Sequence, residues 1–140
     1  MIMPRSADLM HQGAIRSQRL RWVHVDVCDS ARMLSQNHLC GPMAGLVLAE
    51  ALAGVALLGS ELNSHDETVS LRLQVTGPVG GLLVEAAGNG ALRGYTRVKV
   101  MNEFDEQETQ QTAWALGDRA EAWIVGSKPG AILWQAALAV

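Results

Sequence analysis

Met43 to Leu58 limits the choice of fold more than any other stretch of this chain. Its sixteen residues are apolar except at Gly45, Glu50 and Gly54. A membrane span needs about twenty apolar residues, so the stretch reads as a helix of the core. It is apolar nearly all round, which predicts cover on several sides. Gly41-Pro42 precedes it, with proline at a first-turn position where its missing N–H is no loss. The glycines and alanines let a neighbour approach closely, at some cost in helix propensity from Gly45 and Gly54. Glu50 is the only charge in the stretch. A carboxylate buried alone is costly, so Glu50 is expected either to pair with Arg72, Arg93 or Arg97 or to lie partly exposed.

The segments around this helix follow a different period. From Leu20 to Cys28, Val23, Val25 and Val27 alternate with Trp22, His24 and Asp26, the pattern of a strand with one buried face. Asp29 and Ser30 then offer an N-cap for a short helix reaching about Asn37. Beyond the polar loop Asn63-Ser64-His65-Asp66, Val69, Leu71, Leu73 and Val75 alternate with Ser70, Arg72, Gln74 and Thr76. Gly77-Pro78 is a turn. Leu82 to Ala87 reads as the next strand, and Gly88-Asn89-Gly90 as a tight turn that supplies positive φ cheaply. A strand over Ala91 to Val100 follows, with Arg93, Tyr95, Arg97 and Lys99 on one face, then a loop or short helix from Glu103 to Gln111. The chain closes with a hairpin: Arg119 to Val125, a turn at Gly126-Ser127-Lys128-Pro129-Gly130, and Ala131 to Val140. The order is an N-terminal strand, two helices and a mostly antiparallel sheet, an α+β pattern in a single domain over residues 1–140.

Composition narrows the functional classes. Hydrophobic residues are 49%, charged residues 18%, and the net charge is -3. A disordered chain needs low hydrophobicity and high net charge, and a nucleic-acid binder needs positive charge against phosphate; neither fits. Few charges among many apolar residues point instead to a surface that meets protein. The five arginines of residues 1–32 face three aspartates, whereas residues 103–121 carry six acids against Arg119. Met1 to Ser17 has no apolar run of the kind a signal peptide needs. The expected setting is cytoplasmic, with neither membrane nor nucleic acid as partner.

Motifs for chemistry are sparse. His24-x-Asp26 puts two ligand-type side chains on one strand face without a third or fourth ligand near in sequence, so a surface or interface histidine is expected there and no metal. His65-Asp66-Glu67 lacks the H-E-x-x-H spacing of a zinc protease and reads as a solvated turn. Cys28 and Cys40 form no C-x-C or C-x-x-C pair. Cys28 precedes a helix, which lowers a thiol pKa, but Asp29 beside it opposes that. The chain holds no G-x-S-x-G, no G-x-x-x-x-G-K-[ST] and no G-x-G-x-x-G. The expectation is a protein that is not an enzyme and uses no cofactor. Four tryptophans, Trp22, Trp114, Trp123 and Trp134, stand out. They read either as core or as interface anchors, and Trp123 and Trp134 are placed to meet across the final hairpin. The apolar end, Ala136-Ala137-Leu138-Ala139-Val140, is a strand that is central, pairs with another chain, or has been cut short.

Several segments together resemble one family. They are Ala14-Ile15-Arg16, Asn37-His38 followed by Pro42, Leu48-Ala49-Glu50-Ala51-Leu52, Val69-Ser70-Leu71-Arg72-Leu73-Gln74, Gly77-Pro78 and Gly90-x-x-Arg93-Gly94-Tyr95. In order and spacing the chain resembles the N-terminal domain of heat-shock protein 33, a redox-regulated holdase chaperone, from about residue 14 to 100 and more weakly to 140. The resemblance implies that Gly77, Pro78, Gly90, Arg93, Gly94 and Tyr95 are family-signature structural residues. It implies ATP-independent binding of unfolded client proteins, and a homodimer or a completing partner chain. Trp22, Trp123, Trp134, Leu138 and Val140 are the candidate interface or client contacts. The family's C-terminal zinc module, built on C-x-C and C-x-x-C, has no counterpart in Cys28 and Cys40, so the thiol switch is not carried over and the substrate domain reads as shortened. The alternative is a noncatalytic accessory subunit that docks on a partner polypeptide through its apolar edge.

Overall fold

The computed structural model describes residues 8–139. An antiparallel hairpin comes first, β1 (Leu9–Ile15) and β2 (Leu20–Asp26), joined by a 3-10 turn at Arg16–Gln18. Two helices follow, α1 (Cys28–Asn37) and α2 (Pro42–Gly59). Three strands come next, β3 (Thr68–Val75), β4 (Gly81–Ala87) and β5 (Leu92–Thr96), then the short helices α3 (Asn102–Asp105) and α4 (Thr112–Leu116). A last hairpin, β6 (Ala120–Lys128) and β7 (Ala131–Ala139), completes one antiparallel sheet in the order β5-β4-β3-β6-β7. The α+β class is the expected one. The N-terminus differs in detail, because the strand at Leu20 is one arm of a separate two-stranded sheet.

The alternation in β3 decides where the core sits. Val69, Leu71 and Leu73 pair with Ala86, Val84 and Leu82 of β4, so one apolar face runs across both strands. Helix α2 lies on that face, burying Met43, Ala44, Val47, Leu48, Leu52, Val55 and Ala56. Among the described residues α2 is the one helix long and apolar enough to cross a membrane, and here it is the core helix. Its main contacts run to α1, α4, β2, β3, β4 and β5, while those of β6 and β7 are with strands. Glu50 takes the exposed alternative and forms no ion pair among the described residues; Arg93 pairs with Glu85 at 3.4 Å instead.

Both long helices are capped from a distance. Helix α1 begins at Cys28, so Asp29 and Ser30 lie inside its first turn and donate where they were expected to accept. The Asp26 carboxylate accepts from the Cys28 N–H at 3.0 Å, and that of Asp8 accepts from the N–H groups of Asp29 at 3.0 Å and Ser30 at 3.2 Å. The hairpin thereby closes its open end on the first turn of α1, satisfying donors that have no intrahelical partner. At α2, Asp105 of α3 accepts from the Met43 N–H at 2.9 Å and from the Met101 N–H at 2.8 Å.

Two other boundaries move, and one helix is new. The third strand of the main sheet stops at Thr96, short of Val100, because beyond it the Arg97 and Val98 amides bond to Gly81 and Val79 and the chain turns away. The last turn contracts to Pro129-Gly130, with β6 reaching Lys128. Helix α4, absent from the sequence reading, backs the Gly77-Pro78 turn: the Gly77 amide bonds to the Leu116 carbonyl at 3.0 Å and that of Val79 to Ala115 at 3.1 Å. A Cβ at Gly77 would collide with the backbone of Ala115 and Leu116.

Candidate functional site

Strand β7 is exposed at all nine of its positions. Its inner edge bonds to β6, and among the described residues its outer edge has no strand partner. An unpaired edge offers a row of N–H and C=O groups to any extended chain. Trp134 lies opposite Gly126, Ala136 opposite Ile124 and Leu138 opposite Ala122, while Ile124 and Ala122 lie opposite Leu71 and Leu73. These residues therefore extend the same apolar face that α2 covers farther along the sheet. Trp134 is 46% exposed and Leu138 56%. Val140 falls outside the described residues.

The two tryptophans of this hairpin do not meet. Trp123 lies opposite Ala137, on the other face, half-buried with the Arg72 guanidinium 5.6 Å from its ring centre. A register shift between Gly126 and Ser127 leaves Leu133 as the extra residue of a β-bulge. One slipped residue sends every later side chain to the opposite face; without it Trp134 would face Val125, on the side of Trp123. The Trp134 indole instead lies across Gly126, where any Cβ would meet it.

Trp22 belongs to the other sheet. It lies opposite Gly13 and covers it in the same way, with Leu9, Met10, Ile15 and Leu20 also exposed on this hairpin. The structure thus gathers Trp134 and Leu138 on one face, sets Trp123 on the reverse, and keeps Trp22 apart. The Trp114 ring, which the sequence left unassigned, stacks on Phe104 with centres 5.8 Å apart.

The signature residues serve the frame. Gly77 and Pro78 form the β3–β4 turn, Gly90 holds φ +91° before β5, and Gly94 has no room for a Cβ beside Val84. Arg93 pairs with Glu85, and Tyr95 is exposed with its ring centre 6.4 Å from that of His38.

The two thiols form no disulfide. Cys28 is exposed and Cys40 half-buried, both free. The Cys28 pKa is pushed up by its hydrogen bond to the Asp26 carboxylate and by that group's charge. The Asp26 carboxyl is held below its usual range, chiefly by the Cys28 amide and then its thiol. No group of three or more His, Cys, Asp or Glu side chains suited to a metal occurs among the described residues, so a zinc module of four thiolates does not fit the residues present. Sequence reading did miss one neighbour: the strand register puts His11 directly opposite His24.

Three comparisons bear on this geometry. The profile of the Hsp33 protein family matches residues 8–131. The 33 kDa chaperonin of Picosynechococcus sp. is 30% identical over 91 residues, 65% of this chain and 30% of that protein. That of Thermus thermophilus is 37% identical over 79 residues, 56% of this chain and 23% of that protein. The crystal structure of the Thermotoga maritima 33 kDa chaperonin (heat shock protein 33 homolog) matches with a TM-score of 0.79 at 20% identity, over 92% of this chain and 44% of that one. That last likeness is one of fold. The chain matches less than half the length of each of these relatives. With the profile spanning nearly all of its described residues, this chain belongs to the Hsp33 family.

Proposed function

We propose that this chain is an ATP-independent, holdase-type chaperone that binds unfolded segments at the β6–β7 end of its sheet. The observation that carries the reading is β7: exposed throughout, apolar, and open along one edge. An unfolded segment adds to such an edge through main-chain hydrogen bonds, which are indifferent to its sequence. Trp134, Ala136 and Leu138 then gain from each apolar surface they cover, at about 25 cal/mol per Å². The relatives' name, 33 kDa chaperonin, supports the same class. The activity is noncatalytic and cytoplasmic, needs no cofactor, and runs without a thiol switch, a reading supported by Cys28 and Cys40 forming no C-x-C or C-x-x-C pair.

The test is thermal aggregation of a standard client. Excess chain suppresses it, equally after hydrogen peroxide or reductant. The double substitution Trp134→Asp with Leu138→Asp removes suppression while circular dichroism shows the chain still folded. Unchanged client aggregation sinks the reading, and switching by peroxide restores redox control.

A second reading rests on the continuity of the bare face with the face under α2. In it the chain is an accessory subunit, and a partner polypeptide covers β7 as α2 covers β3 and β4. Light scattering after size-exclusion chromatography separates the two. A discrete homodimer favours the chaperone, and polydisperse material favours a missing partner.

A further inference from the structure

We propose that His11 and His24 form a two-imidazole site for a borderline divalent transition-metal ion, Cu(II), Ni(II) or Zn(II). The inference is independent of the chaperone reading. The two residues are direct cross-strand partners in the β1–β2 hairpin, and both are exposed. Their ring centres lie 6.2 Å apart with planes inclined by 49°.

Opposed residues in an antiparallel pair hold their Cβ atoms about 4.5–5.5 Å apart, so both rings leave the sheet together. Metal–nitrogen bonds of about 2.0–2.1 Å to one nitrogen of each ring put the ring centres about 5 Å apart. The rings therefore close by about 1 Å, a shift within reach of side-chain rotation alone on a fixed backbone. Imidazole suits Zn, Cu and Ni, and affinity for such a pair rises from Ni(II) to Cu(II). Asp26 stands two residues beyond His24 on the same face, and its negative charge favours a cation there without a ligand bond. Water fills the other coordination positions.

The ion would bridge the middle of a two-stranded sheet. Such a sheet is marginal on its own, and this one is fastened to the body at its open end by Asp8 and Asp26. A bound ion adds a second fastening, across the strands.

Titration calorimetry of Ni(II) into the full reduced chain, in a non-coordinating buffer, tests the site. The chain has four histidines, His11, His24, His38 and His65. One ion binds per chain. His11→Ala and His24→Ala each weaken it by about ten-fold or more, the lower bound seen for disturbing even outer-shell partners of a metal. His38→Ala and His65→Ala leave it unchanged. Circular dichroism confirms that the exposed variants stay folded. No binding by the natural chain overturns the proposal, as does binding that survives His11→Ala and His24→Ala.

Discussion

One apolar face crosses the main sheet and meets two fates. Under α2, Val69 is 1% exposed, Val84 0% and Ala86 3%. On β6 and β7 the same face continues through Ala122 at 8% to Trp134 at 46% and Leu138 at 56%. Strand chemistry changes little between the halves; cover changes completely. The two exposed hairpins share a further device, a tryptophan laid flat across a glycine on the neighbouring strand, Trp22 on Gly13 and Trp134 on Gly126. A glycine in a strand leaves a gap that an aromatic ring can fill. Each bare hairpin thus shields part of its backbone with its own aromatic ring, because no helix does so.

The sharpest test of this contrast is truncation on each side of it. Leu52→Ala, at a fully buried position of α2, costs about 2–5 kcal/mol, read as a lower urea midpoint. Leu138→Ala on β7 shifts stability by no more than about 0.5 kcal/mol. Equal losses would break the comparison, since β7 would then have cover of its own.

Asp105→Ala comes next. It frees the Met43 and Met101 amides and costs about 1 kcal/mol, as loss of a helix cap does, measured by thermal unfolding. Arg72→Ala removes the guanidinium from Trp123 and costs about 0.5–1 kcal/mol. The accompanying change in tryptophan emission is lost in a Trp123→Phe background and kept in a Trp134→Phe one.

The smallest effect is chemical. At pH 8 Cys28 alkylates more slowly than cysteine in an unstructured peptide, because its raised pKa leaves less thiolate. Asp26→Asn speeds it. Asp26 itself has the opposite sign, with a folded-state pKa below the unfolded one. Its contribution is present above the ordinary carboxylate pKa and disappears as pH falls through the folded value. Identical alkylation rates with and without Asp26 would show that this end of the hairpin does not grip α1.

The covered half was the legible one. Burial imposes a period, so β3 with its strict alternation and α2 with its apolar run stood out, as did the Gly77-Pro78 turn between elements that both touch the core. Strand β1 was missed because Leu9–Ile15 is exposed or half-buried at every position, and a strand without a buried face has no period to show. Helix α4 is only five residues long, too short for helical periodicity. In the candidate site, Trp134 and Leu138 were named among the interface or client contacts, and the structure leaves both exposed. Their separation from Trp123 was not, since a single bulge residue, Leu133, decides it and leaves no compositional mark. The His11–His24 pair was hidden for the same reason as β1: a contact across two strands is invisible until both strands are known.

The Asp105 cap has a consequence for how this protein is made. The group that closes the start of α2 lies 62 residues downstream of the amide it holds. At about 5–20 residues per second, a ribosome needs roughly 3–12 s to supply it. Over that interval the most apolar helix of a nascent Hsp33-family chain lacks the carboxylate that seals its first turn, while β3, β4 and β5 are still being made and β6 and β7 are yet to come. Until translation passes Asp105, the Met43 amide has no acceptor from α3, and α2 must hold its first turn without one.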